Sequence, residues 1–150
     1  GFKEGLKDHP ELKLVAEQSS QSQYTTALTV TENILTANPG LDAIFAANEP
    51  GVLGAAEAVR QAGKAGEITI VGWDGNPKEV EAVRDGLVST LVVQNPFRMG
   101  YDGVNAAVEI IREGKTVQGG DTGVTFVTKD NVDDPQVKSV LDPTCEDPPL

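Results

Sequence analysis

Apolar residues along this chain follow two alternating patterns, one typical of strands and one of helices. Short β-type runs predict five strands, at 12–16, 42–47, 67–72, 87–93 and 123–128. Between them, apolar residues recur at helical spacing in four segments, which end at Asn38-Pro39-Gly40, Gly63, Gly86 and Gly114. Strands that alternate with helices indicate βαβ units, so the pattern predicts an α/β domain with a mainly parallel sheet.

Three predicted strands are followed by a polar residue and a proline, at Glu49-Pro50, Asn76-Pro77 and Asn95-Pro96. Proline is favoured at the first position of a helix and asparagine is a good N-cap. We therefore predict three units of strand, capped turn and helix, and we interpret Asn76 and Asn95 as caps. The three turns should share the carboxyl edge of the sheet, where open α/β proteins bind ligands.

Polar and aromatic side chains at these strand ends are the candidate ligand contacts: Asn48, Glu49, Trp73, Asp74 and Gln94. Carboxylates and planar amides can each bridge two adjacent hydroxyl groups, and an indole offers a flat apolar face to the C–H side of a sugar ring. No basic residue belongs to this set, which favours a neutral polyol over a phosphorylated or carboxylated ligand.

Each candidate also has a purely structural explanation, which the sequence leaves open. Asn48 or Glu49 would cap the second helix. Trp73 would be a core residue or an anchor at the rim, and Asp74 would belong to a plain turn. Gln94 would be a solvated strand end. The coincidence of all three strand ends is what favours a polar ligand site.

Composition narrows the alternatives further. A net charge of −11 over 150 residues disfavours binding to nucleic acid or to anionic lipid. The single cysteine, Cys145, and the single histidine, His9, leave no metal site to predict, and no cofactor-binding glycine motif follows a strand. The Pro-rich residues 142–150 predict a flexible acidic tail. The opening residues read like the end of a helix, so we expect the chain to be part of a longer protein.

Three stretches carry a resemblance to a known family: LDAIFAANEPGVLGAAEAVRQAGKAGEITIVGWDG, LVSTLVVQNPFRMGYDGVNAAVEIIREGK and DTGVTFVTKDNVD. In this order they resemble the second half of the ribose-type periplasmic binding proteins, whose type I fold is shared with LacI-family repressor cores. The resemblance covers nearly the whole chain to about Leu141. It implies an open, mainly parallel, Rossmann-like (flavodoxin-like) sheet with helices on both faces.

The resemblance also implies a division of the chain between two lobes. Residues 1–94 and 125–141 would form the C-terminal lobe, and 95–124 would be a crossover segment that belongs to a missing N-terminal lobe. Gln94 and Asn95, with Gly123 and Thr125, would form the hinge. The helix in the crossover would then expose an apolar stripe, so we predict that the chain pairs with an N-terminal half or exchanges this element with another copy.

By similarity, Asn48 matches the family's amide ligand, Asp74 its sugar-binding aspartate and Gln94 the glutamine near the second crossover. Trp73 occupies the aromatic position beside that aspartate, whereas Glu49 departs from the commoner aspartate. The resemblance implies capture of a monosaccharide, ribose or a related sugar, and its delivery to an ABC permease. We expect a protein without enzymatic activity that is periplasmic or extracellular, with a lipid anchor left open.

Three alternatives remain at this stage. The effector core of a LacI-type repressor would need an N-terminal helix-turn-helix and a cytoplasmic location. A sugar-modifying α/β enzyme would need a positioned base or metal, for which we see no candidate residues. A chemoreceptor module would bind sugar in the same way and differ in its docking partner.

Overall fold

The computed structural model of the protein describes residues 1–144. The strands are β1 (Ala43–Phe45), β2 (Thr69–Trp73), β3 (Thr90–Gln94) and β4 (Val124–Thr128). The helices are α1 (Phe2–Gly5), α2 (Tyr24–Ala37), α3 (Glu49–Gln61), α4 (Pro77–Arg84), α5 (Pro96–Glu113) and α6 (Pro135–Leu141), and a 3₁₀ turn (Leu6–Asp8) follows α1. Of the predicted tail at 142–150, residues 145–150, with Cys145, lie outside the described residues.

Within residues 1–144 the strands form one open sheet in the order β1-β2-β3-β4. β1 pairs with β2 and β2 with β3 in parallel, while β4 runs antiparallel to β3. The parallel pairs are separated in the chain by α3 and α4, as βαβ units require. The predicted α/β class with an open, mainly parallel sheet is therefore confirmed.

Four of the five predicted strands are present, but the prediction of a strand at 12–16 is wrong. That segment has no strand pairing within the described chain, and Leu12, Leu14 and Val15 are each about half exposed. An apolar run becomes a strand only where a neighbouring strand takes up its backbone N–H and C=O groups. No such pairing joins this segment to the three-residue edge strand β1 in the described residues.

All four predicted helices are present, and three of them start at asparagine caps. Asn48 accepts a hydrogen bond from the backbone N–H of Gly51, and Asn95 accepts one from that of Arg98. Asn76 forms a capping box with Glu79. Proline is the first residue of α4 and of α5, but the second residue of α3, which begins one residue earlier at Glu49. These caps satisfy N–H groups that a helix start otherwise leaves unpaired.

The core lies between the sheet and helices α3, α4 and α6. Its completely buried members are dominated by β-branched residues and leucine, which suit strands with a covered face. These are Val52, Val59, Ile70, Val83, Val88, Leu91, Val127 and Val132. α5 lies outside this core, because it buries none of its residues within the described part of the chain.

The apolar stripe of α5, which consists of Val104, Val108 and Ile111, is open to solvent. Its members are 65%, 39% and 82% exposed, respectively. Val124 and Phe126 on the neighbouring strand β4 are also 49% and 60% exposed. The crossover segment and β4 therefore present apolar surface that the described residues do not cover.

Candidate functional site

Three parallel strands deliver the candidate side chains to one edge of the sheet. Trp73 ends β2 and Gln94 ends β3, while Asn48 follows β1 after two further residues. Ala46 donates a backbone hydrogen bond to Val71, which extends the pairing of β1 with β2 toward this edge. Because β1, β2 and β3 run in the same direction, their carboxyl ends face the same way.

Asp74 and Gln94 are in direct contact. Gln94 Nε2 donates a hydrogen bond of 2.8 Å to Asp74 Oδ1, and both side chains are partly buried. The backbone N–H of Asp74 also donates to the carbonyl of Val92, at 3.1 Å. A carboxylate can accept about four hydrogen bonds, so the bond from Gln94 orients the group and leaves acceptor capacity for a ligand.

The backbone of Asp74 has an unusual conformation. Its φ is +80°, in the left-handed region that aspartate tolerates better than most residues. Gly75 follows, and a Cβ there would lie 2.9 Å from Val93 Cγ2 and 2.8 Å from Leu141 Cδ2. The turn is therefore held tightly against β3 and α6, which fixes the position from which Asp74 extends.

The side-chain amide of Asn48 makes two hydrogen bonds within the protein. Its Oδ1 accepts from the backbone N–H of Gly51 at 3.0 Å, and its Nδ2 donates to Ser22 Oγ at 2.9 Å. The capping alternative is thus the observed role of Asn48. A planar amide still has one N–H and one lone pair beyond these two bonds, so capping does not remove it from the candidate set.

Trp73 is half-buried at the end of β2 and lies opposite Val92 of β3 in the sheet register. It is the single tryptophan of the chain. Partial exposure leaves part of the indole surface accessible beside Asp74. An indole placed in this way can contact the apolar face of a ring-shaped ligand.

Glu49 is exposed at the first position of α3, and its surroundings differ from those of the Asp74–Gln94 pair. It lines a groove of about 490 Å³ with Tyr24, Leu53 and Lys78. Trp73, Asp74 and Gln94 do not line this groove. Glu49 is therefore the one strand-end candidate that lines this groove.

Sequence reasoning missed one residue of this region, Glu79, whose signal was the capping-box spacing from Asn76. Glu79 is completely buried, and its Oε2 accepts from the backbone N–H of Asn76 at 2.9 Å. Burial raises the pKa of Glu79 from its usual 4.5 to about 7; the Asn76 bond opposes this shift, and the charges of Glu49 and Asp74 add to it. The charges of Glu49 and Asp74 therefore reach the buried Glu79 carboxyl group.

The predicted hinge residues lie where the chain leaves β3 and enters β4. Gln94 pairs with Val124 and Val93 pairs with Thr125, so the chain leaves β3 and enters β4 at the same place. Gly123 has a φ of +76°, which favours glycine, and its N–H donates to Asp121 Oδ1 at 2.8 Å. Asn95 caps α5 next to this point. The two ends of the crossover segment are therefore adjacent.

Neither a metal site nor a membrane-spanning helix is present among the described residues. No group of three or more His, Cys, Asp or Glu side chains in residues 1–144 could hold a metal ion. No helix in the same part of the chain is long and apolar enough to cross a bilayer.

The open parallel sheet, with polar side chains gathered where its strands end, is that of an α/β lobe of the kind that binds ligands at its carboxyl edge. Residues 1–116 match the family model described as periplasmic binding protein domain. The chain belongs to this family, as the motifs of the sequence predicted.

Known relatives agree with this assignment. The chain is 37% identical over 117 residues to the D-allose-binding periplasmic protein of Escherichia coli. This alignment covers 78% of the chain and 38% of that protein. The chain is also 36% identical over 118 residues to the ribose import binding protein of Salmonella typhimurium, over 79% of this chain and 39% of that protein. The chain therefore spans less than half the length of these curated relatives.

A solved structure is similar to the fold. An ABC transporter solute binding protein from Agrobacterium vitis with bound D-fucose superposes with a TM-score of 0.88 at 42% sequence identity. The similarity covers 93% of this chain and 48% of that one. The chain thus spans about half the length of that protein.

Proposed function

We propose that this chain forms one lobe of the sugar-binding component of an ABC importer. The observation that carries the proposal is the Asp74–Gln94 pair beside Trp73, at the carboxyl edge of a parallel sheet. The relatives named above support it, because their names give allose and ribose as ligands and the solved structure holds fucose. We infer that the ligand is a monosaccharide, a ribose-like pentose or a related sugar.

The chemistry of the edge suits adjacent hydroxyl groups. Asp74 accepts hydrogen bonds, Gln94 orients it, and the remaining N–H and lone pair of Asn48 add one donor and one acceptor. Trp73 supplies an apolar face for the ring carbons. Glu49 adds a second carboxylate at the rim. This set is uncharged or acidic, so a neutral sugar fits better than a sugar phosphate.

A second lobe completes the proposed protein. The exposed stripe of α5 and the exposed Val124 and Phe126 of β4 need a partner surface, since apolar patches of this kind mark contact sites. We infer that residues 95–124 pack on an N-terminal lobe and that residues 1–94 and 125–141 form the C-terminal lobe. Gln94, Asn95, Gly123 and Thr125, which lie at the adjacent ends of β3 and β4, would serve as the hinge.

Hinge closure would trap the sugar and present both lobes to a membrane permease. The proposed action is capture without a chemical step, so the protein is not an enzyme in this account. Its proposed location is the periplasm or the outside of the cell, where import begins. A lipid anchor is compatible with this location.

Calorimetry on the two-lobed protein with pentoses and hexoses tests the proposal. We expect one monosaccharide to bind. Asp74→Ala should raise the Kd for that sugar by on the order of 10–100-fold, the usual loss for a hydrogen bond to a charged group. Asp85→Ala is the matched control, because Asp85 is exposed beyond the last turn of α4. Failure of every sugar to bind, turnover of a sugar, or equal effects of the two substitutions would contradict the proposal.

A further inference from the structure

Glu79 is the one described side chain with a buried polar atom that lacks a hydrogen-bond partner. Its exposed fraction is 0%, its Oε2 accepts from the backbone N–H of Asn76, and its Oε1 has no partner among the described residues. A capping box needs only one of the two oxygens. The second oxygen therefore carries a desolvation cost that the helix cap does not explain.

The charges around Glu79 make this cost larger for the ionised form. Glu49 at the start of α3 and Asp74 after β2 both act on it as negative charges. The segments Thr90–Gln94 of β3 and Val124–Thr128 of β4, which also contact α4, contain no ionisable side chain. On α4 itself, the neighbouring Lys78 is exposed. A buried carboxylate in this setting is disfavoured, and the protonated carboxyl group is the form that fits.

Glu79 is also tied to the ligand edge through a short path. The hydrogen bond from Asn76 N–H to Glu79 fixes the backbone two residues after Asp74, and Asn76 Oδ1 accepts from the N–H groups of Lys78 and Glu79 in return. To hydrate an ionised Glu79, water would have to reach Oε1, and the first turn of α4 would have to move away from the sheet. That movement would carry the turn that holds Asp74.

We propose that Glu79 is a positioning residue of the strand-end site, which keeps the Asp74–Asn76 turn in its sugar-binding form only while its carboxyl group carries a proton. Loss of that proton to solvent loosens the turn and weakens sugar binding. The inference has two halves. The first half, that the turn depends on the proton of Glu79, needs no sugar. The second half, that sugar affinity depends on the same proton, rests on the proposed function.

Fluorescence of Trp73 tests the first half, because the single tryptophan immediately precedes Asp74. All variants carry His9→Gln, so that the single imidazole does not contribute. We expect the emission of the 150-residue chain to change with pH with a midpoint near 7, and the emission of Glu79→Gln to stay constant. The amide oxygen of that variant can still accept from Asn76. Glu81→Gln, at an exposed position of the same helix, should titrate like the parent.

Calorimetry with D-ribose and with D-allose, at pH 6 and pH 8 on the two-lobed protein, tests the effect of Glu79 on sugar binding. We expect sugar affinity to fall several-fold with rising pH in the parent and in Glu81→Gln, and to stay constant in Glu79→Gln. A flat fluorescence profile in the parent, or an unchanged midpoint in Glu79→Gln, would overturn the inference. A fluorescence titration without a pH effect on affinity would overturn the positioning role. A fluorescence titration with no sugar binding at either pH would refute the proposed function and leave only the proton-dependent turn.

Discussion

Two helices of this protein begin with the same sequence signals but lie in opposite environments. α3 and α5 each follow an asparagine cap and carry a proline in their first two residues. α3 buries six of its 13 residues, whereas α5, with 18 residues, buries none within the described chain. The difference lies in the neighbours: α3 contacts α2 and β2, while the apolar stripe of α5 faces solvent.

The comparison shows that the signals that start a helix do not determine whether the helix is buried. A cap, a proline and a 3.6-residue apolar period are local signals, and both helices have them. Burial depends on a second surface, which the described residues provide for α3 and not for α5. The region from α2 to β3 therefore buries its own apolar residues, whereas the apolar stripe of α5 is left uncovered by the described residues, as the proposed second lobe would require.

The largest expected effect is the loss of a core side chain from the lobe. Leu91 is 0% exposed at the centre of the sheet, so Leu91→Ala should lower the free energy of unfolding by about 2–5 kcal/mol. Ile111→Ala, at an 82% exposed position of α5, should change it by less than about 0.5 kcal/mol. Chemical denaturation of both variants, at a protein concentration where the chain is monomeric, measures the difference, and comparable losses would show that α5 packs within the chain.

A glycine-to-alanine exchange should have opposite signs in the two helices. In α3, a Cβ on Gly54 would lie 2.5 Å from Ala27 Cβ and 2.8 Å from the backbone of Tyr24 and Leu28. Gly54→Ala should therefore cost about 1–3 kcal/mol by overpacking. In α5 a Cβ on Gly103 would meet no atom within 4 Å, so Gly103→Ala should stabilise by about 0.5–1 kcal/mol.

Thermal denaturation measures both glycine variants under one condition. A stabilising Gly54→Ala would mean that α2 and α3 do not approach as closely as described. A destabilising Gly103→Ala would mean that the exposed face of α5 is occupied.

A buried acid distinguishes the two regions by pH. Because the pKa of Glu79 is raised from 4.5 to about 7 in the folded protein, its contribution to stability is fully present below pH 4.5 and is lost as pH rises through about 7. Between pH 5 and pH 8, the free energy of unfolding should fall by on the order of 2 kcal/mol more than in Glu79→Gln. Glu109→Gln, at an exposed position of α5, is the control and should show the same pH dependence of the free energy of unfolding as the parent. The same pH dependence in Glu79→Gln would contradict the role of Glu79 as the buried acid.

The smallest expected effect on stability accompanies a change in association. Val104→Asp with Ile111→Asp should alter the free energy of unfolding of the monomer by less than about 0.5 kcal/mol per site, since both positions are exposed. Light scattering should nevertheless show association of the parent chain and a monomeric double variant. Leu12→Asp, at an exposed apolar position outside α5, is the control. A monomeric parent chain with an ordered α5 would contradict the proposed partner surface.

The fold could be predicted from the sequence where local patterns and burial agree. The alternation of β-type runs with capped helices gave β1 to β4 and α2 to α5 close to their observed bounds. It failed at 12–16, where Leu12, Leu14 and Val15 have the composition of a strand but no pairing partner in the described chain. Strand formation depends on backbone groups elsewhere in the molecule, and no local pattern reports whether they are available.

The sequence predicted which side chains share the carboxyl edge of the sheet, but much less of their geometry. Topology placed Asn48, Trp73, Asp74 and Gln94 at the ends of parallel strands. The bond between Gln94 and Asp74 and the positive φ of Asp74 depend on the exact turn, which composition does not specify. Glu79 was missed because a glutamate three residues after a cap is a common helix signal, and its complete burial appears only in three dimensions.

The central claim is that the carboxyl ends of β1, β2 and β3 hold a sugar. An NMR titration of the 150-residue chain with D-ribose and D-allose, read at each backbone amide, tests it most directly. We predict chemical-shift changes at Asn48, Trp73, Asp74 and Gln94, with Leu87, which lines the groove beside α3 away from these strand ends, unaffected. Shifts confined to that groove, or no shifts at the strand ends with either sugar, would contradict the account.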